Sequence, residues 1–176
     1  QGDPLAPDCT DCHGVHDIQP SMDPRSLVHE DNVPRTCGKC HIGIERIYAE
    51  SVHGRLRASG EGRGPVCATC HTAHDIVKPT EAAFKLSSDE RCGACHHDRL
   101  ERYRETFHGK AIALGLVGVA ACYDCHGHHD IRPVDDPASR LSEENRLATC
   151  QECHPTATAK LTSYIAHADH TDREHY

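Results

Sequence analysis

All twelve cysteines of this 176-residue chain fall into six Cys-x-x-Cys pairs, and each pair is followed at once by histidine. The six sets are Cys9/Cys12/His13, Cys37/Cys40/His41, Cys67/Cys70/His71, Cys92/Cys95/His96, Cys122/Cys125/His126 and Cys150/Cys153/His154. Histidine supplies 17 of the 176 residues. Six independent placements after a Cys-x-x-Cys would therefore arise by chance about once in a million. Zinc ribbons also use paired cysteines, but they do not require histidine beside every second one. Two thioether bonds to the vinyl groups of a haem, with the adjacent imidazole on its iron, account for all three positions together. The expected cofactor is six covalently attached haem c groups.

Six proximal imidazoles leave eleven histidines, whereas Met22 is the only thioether. Bis-histidine ligation is the expectation, with His16, His53, His74, His108, His129 and His167 as the second ligands. An imidazole places a metal roughly 6 Å from its own Cα, so two ligands of one iron need Cα atoms roughly 12 Å apart, and three extended residues span at most roughly 11 Å. His16, His74 and His129 each lie three residues beyond a proximal histidine, so each should serve the haem of another motif. His53 and His108 are free to ligate their own motif's haem or another. His170 competes with His167, and His128 competes with its neighbour His129. His29 and His97 read as solvated or as donors to haem propionates. Asp17, Asp75 and Asp130 follow the second-ligand histidines, either to orient an imidazole or to make an Asx turn. Tyr48 and Tyr103 read as packing against a porphyrin ahead of redox relays.

Motifs beginning at 9, 67 and 122 continue as Cys-His-x-x-His-Asp-Ile with a proline beyond, at Pro20, Pro79 and Pro133. Those at 37 and 92 carry longer tails, Tyr48 with Ser51-Val52-His53-Gly54 and Tyr103 with Thr106-Phe107-His108-Gly109, and the one at 150 is a degenerate copy. The spacing thus predicts one hexahaem domain of three two-haem repeats, approximately 9–66, 67–121 and 122–176. Proline-free stretches predict short helices over 42–53 and 99–110, with loops over 19–25, 59–65 and 133–137 and no convincing strand. With 37% hydrophobic residues, two Phe and no Trp, the polypeptide cannot fill a core by itself. The fold class expected is irregular coil with short α-helices wrapped around a covalent haem chain, with little or no β structure.

The formal charge of −8, with scattered basic residues, argues against nucleic acid as a partner. No stretch approaches the roughly 20 apolar residues that cross a bilayer, and the longest apolar run, 111–121, is interrupted by Gly115 and Gly118. That run reads equally as a subunit interface or as a lid over a haem. Haem is joined to such motifs outside the cytoplasmic membrane, so Gln1 is expected to follow a cleaved signal peptide and the protein to be extracellular or periplasmic.

Residues 9–18, the related segments at 67 and 122, and the intervening Thr36-Cys37-Gly38-Lys39-Cys40-His41 with Ser51-Val52-His53-Gly54 resemble the multihaem c-type cytochromes of anaerobic bacteria and archaea. The resemblance covers nearly the whole chain. It implies stacked and T-shaped haem pairs in a continuous chain, low potentials, export and electron transfer to redox partner proteins or extracellular acceptors. Irons with two imidazoles have no open position for a substrate, which argues against an enzyme. Within the group, the early first motif and the tail His167, His170 and His175 lean toward head-to-tail self-association into a conductive filament similar to the cytochrome nanowires. A discrete periplasmic shuttle is the alternative, and a reductase with one open haem the third reading.

Overall fold

The computed structural model describes residues 6–169, which form short helices joined by turns, with no strand among them. His170 and His175 lie outside the described residues. The chain divides between His74 and Asp75 into two compact units.

In the first unit, α1 (Cys9–His13), α2 (Val33–Gly38), α3 (Ile42–Glu50), α4 (Val52–Ser59) and α5 (Cys67–His71) follow in order. The second holds α6 (Ala82–Leu86), α7 (Ser88–Gly93), α8 (His97–Glu105), α9 (Phe107–Ala113), α10 (Cys122–His126) and α11 (Arg146–Gln151), then a 3-10 turn at Leu161–Ser163. Every Cys-x-x-Cys sits on or against one of these helices, and the odd-numbered motifs are helices of five residues each. So short a helix needs its ends tied. The residue before the second cysteine does this: Asp11, Thr69 and Asp124 accept the backbone N–H of Asp8, Val66 and Ala121 at 2.8, 3.0 and 2.8 Å. One x of each of these motifs is thus a capping residue, a role that the haem-attachment spacing does not reveal.

The helices expected over 42–53 and 99–110 are each two helices, which corrects that expectation. Ser51 and Thr106 are extended, with ψ of 166° and 164°, and their hydroxyls accept the N–H of Gly54 and Gly109 at 3.1 Å. The new helix therefore starts where the old one ends. Gly54 and Gly109 lie so near the carbonyl oxygens of Tyr48 and Tyr103 that a Cβ at either would collide with backbone. Serine or threonine three residues before glycine was the available signal for the break.

Loops are also held by repeated devices. Asn32 donates from Nδ2 to the Pro24 and Ser26 carbonyls, both at 2.8 Å, and Asn145 does the same to Pro137 and Ser139 at 2.9 Å. The Thr36 and Thr149 hydroxyls donate to the carbonyls of Leu27 and Arg140 at 2.6 and 2.7 Å. Among the described residues the buried apolar set is small: Val66, Tyr103, Ala111, Ile112, Ala121 and Ala168. Large apolar side chains such as Ile18 and Ile76 stay 58% and 63% exposed. Protein packing alone covers too little apolar surface for a conventional core.

Candidate haem-binding centres

Imidazoles face one another in pairs. In the first unit the rings of His13 and His74 are stacked, 6.0 Å between centres and 17° between planes. In the second, His126 and His167 are stacked at 6.0 Å and 25°, and His108 and His154 lie 6.1 Å apart at 39°. A metal–imidazole bond of roughly 2.0–2.1 Å, plus roughly 1.1 Å from nitrogen to ring centre, separates the two axial rings of one metal by roughly 6 Å. Each pair joins a histidine of a Cys-x-x-Cys-His motif to one named above as a second ligand. His74 meets the first motif and not its own, His108 meets the sixth and His167 the fifth.

Burial, ahead of neighbouring charge, holds His108, His126 and His167 below the ordinary histidine range, which favours the neutral imidazole that a metal requires. His29 differs. Its Nδ1 accepts the N–H of Asp31 at 3.3 Å and lies 3.4 Å from the Asp31 carboxylate. His128 rests 5.3 Å from His129 and 6.0 Å from the Tyr123 ring, and His97 lies on the surface 3.6 Å from Glu101. His16, His41 and His96 are exposed, while His53, His71 and His129 are half-buried.

The polypeptide buries none of the twelve attachment cysteines. Cys9, Cys40, Cys70, Cys95 and Cys153 are exposed, and Cys12, Cys37, Cys67, Cys92, Cys122, Cys125 and Cys150 are half-buried. A binding residue is ordinarily walled in by protein, and Cys70, Cys95 and Cys153 depart from that pattern together with Cys9 and Cys40. The reason is local. In four of the six motifs the second cysteine is the more exposed of the two, because it follows the helix or ends it, while the first packs toward a neighbouring motif. A thioether-bonded porphyrin would itself cover these sulfurs, as it would the exposed isoleucines nearby.

Attachment cysteines of successive motifs also meet. The Cys37 and Cys67 side chains meet within hydrogen-bonding contact, which pulls the Cys37 thiol down and pushes Cys67 up. Cys122 and Cys92 are bonded in the same sense, Cys92 lowered and Cys122 raised. These contacts follow from α2 packing on α5 and α7 on α10. Two tyrosines lock that packing: Tyr48 Oη donates to the Pro65 carbonyl at 2.8 Å and Tyr103 Oη to that of Ala120 at 2.7 Å, each just ahead of the next motif. With carbonyl acceptors, neither phenol has a base to take its proton, so both serve as struts and not as relays.

The donor set suits haem c. Arg57 Nε, Arg91 Nη1, Arg140 Nε and His167 Nδ1 are buried without a hydrogen-bond partner among the described residues. Three cationic donors match the propionates that haem carries, and an unpartnered imidazole nitrogen matches an iron. The carboxylates of Asp17 and Asp130 lie over Gly14 and Gly127, which cap their helices at φ of +81° and +80°. Thr72 takes the same position in the third motif at φ +62°.

The chain is 22% identical over 149 residues to cytochrome c-type protein NrfB of Escherichia coli O6:H1 (strain CFT073), an alignment covering 77% of this chain and 73% of that protein. No protein-family model matches, and no solved structure matches. The similarity is a distant homology to a c-type cytochrome protein, and the twelve cysteines are consistent with about six haem-attachment motifs. No helix among the described residues is long and apolar enough to cross a membrane.

Proposed function

We propose that this chain is a discrete electron carrier holding six haem c groups, each between two imidazoles, in a compartment outside the cytoplasmic membrane. Haem bound at these motifs supplies one-electron exchange at iron. The protein supplies the rest: twelve sulfurs for attachment, twelve imidazoles for ligation, and tyrosine struts that keep successive anchors adjacent. The ligand set is His13, His41, His71, His96, His126 and His154 with His16, His53, His74, His108, His129 and His167. The observation that carries this reading is the three imidazole pairs at metal-spanning distance. Two filled axial positions leave no place for a substrate, which favours a carrier over a reductase.

The discrete carrier stands ahead of the filament for two reasons. The relative that supports electron transfer aligns over most of its own length with this chain. In addition, His167 faces His126 of its own chain, which takes one tail imidazole away from any second copy. Redox partner proteins are the expected donors and acceptors. Intact-mass measurement should give the polypeptide plus six haems, with low-spin spectra throughout. Light scattering at high concentration should give a monomer. Filaments that dissolve on His170→Ala would restore the head-to-tail assembly, and fewer than six haems would overturn the ligand set.

A further inference from the structure

The stretches 31–66 and 86–121 are copies in register, so Cys37, Tyr48, Ser51 and Gly54 correspond to Cys92, Tyr103, Thr106 and Gly109. Each unit has a hollow with a charged lining, Asp31, Glu45 and Arg57 in the first and Asp89, Glu90 and Arg104 in the second. In the second unit its buried member is an anion. Asp89, one helical turn before Cys92, is 3% exposed, and Arg104 reaches its Oδ2 from Nε and Nη2 at 3.3 and 3.2 Å. The arginine is 44% exposed and also lies 3.6 Å from Glu90. Nearby, Lys85 and Asp124 pair with each other at 2.8 Å. Pro34 and Ala49 stand at the positions of Asp89 and Arg104 in the first unit. There the buried member is a cation: the side chain of Arg57 is 12% exposed, while its partners Asp31 and Glu30, at 2.7 and 3.2 Å, are 66% and 51% exposed.

We propose that the buried members of these hollows split the potentials of two otherwise equivalent haem pairs, the Asp89 carboxylate lowering the pair anchored at Cys92 and Cys122 and the Arg57 guanidinium raising the pair at Cys37 and Cys67. A ferric centre carries one more positive charge than a ferrous one, so a nearby anion favours the oxidised form and a cation the reduced form. The exposed partner in each ion pair is screened by water and offsets only part of the buried charge. The reaction affected is one-electron exchange, in which one iron is oxidised as another is reduced and no proton or group changes place. At partial reduction, electrons reside on the Cys37/Cys67 pair before the Cys92/Cys122 pair.

This inference rests on the proposed haem loading, and its test separates the two. Redox titration of the haem-loaded full chain, followed by paramagnetic NMR to resolve each haem, is compared with Asp89→Asn and Arg57→Met. Asp89→Asn should shift two of the six haems upward and leave four in place. Arg57→Met should shift a different two downward, so that the double variant titrates over a narrower range than either parent. Six haems with unshifted or oppositely shifted potentials in either variant would overturn the inference and leave the carrier reading intact. Fewer than six haems in the unaltered protein would overturn the carrier reading instead. Should Asp89→Asn fail to load haem, Arg104→Gln, which leaves the carboxylate uncompensated, must shift the same two haems downward or the inference falls.

Discussion

Residues 42–66 and 97–121 follow one backbone course with different side chains at its hinge side. Both break a helix at a hydroxyl cap, both need glycine where the two helices touch, and both end with a tyrosine strut to the next motif. Yet Arg57, which donates to the Gly64 carbonyl at 3.0 Å, becomes Ile112, which is 2% exposed, and the glycine-rich 60–64 becomes the apolar 115–119. One copy is tied by a guanidinium fork and the other by buried hydrocarbon. The contrast teaches that the joint is specified by cap, glycine and tyrosine, while the filling beneath it is exchangeable.

Breaking the shared part should do the most damage. Gly109→Ala or Gly54→Ala forces a Cβ into a carbonyl, and each should cost about 3 kcal/mol or more in chemical denaturation, with loss of low-spin signal from the haem its joint supports. Next come the exchangeable fillings. Ile112→Ala should cost about 2–4 kcal/mol independently of salt, whereas Arg57→Ala should cost about 1–2 kcal/mol, part of it removed by high ionic strength. Equal costs with equal salt dependence would erase the distinction between the copies. The smallest effect concerns the struts. Burial pushes the Tyr103 phenol above its usual range, so the folded protein holds that proton more tightly than the unfolded chain does. Stability should be unaffected by this group below about pH 9 and should fall as pH rises through roughly 10 and beyond. Tyr103→Phe should cost about 1–2 kcal/mol at neutral pH and flatten that alkaline slope, and Tyr48→Phe should do so less.

The cofactor was legible because thioether chemistry demands three residue types at fixed spacing, and absence of strands followed from a sequence without alternation. The joint was less legible: Ser51 and Thr106 interrupt no apolar pattern and bring no proline, so a hydroxyl three residues before glycine was its mark. Partners for the second imidazoles were equally hidden. His74 reaches His13 across 61 residues, and nothing in local spacing encodes a meeting set by how α-helices of different motifs pack. The exposure of Cys70, Cys95 and Cys153 was hidden too, since spacing says which sulfurs bind and not which of them the chain covers. Asp11, Thr69 and Asp124 sat in plain view as the x of a motif, where the cysteines drew the attention that capping deserved.

The scarcity of buried hydrocarbon reaches beyond the finished molecule to its manufacture. Side chains such as Ile18, Ile42 and Ile76 find no cover from the polypeptide, so a chain released with a motif unfilled carries a sticky, protease-sensitive patch at that motif. Haem loading would then itself set how well a copy resists proteolysis, with under-loaded chains cut first at the unfilled motif.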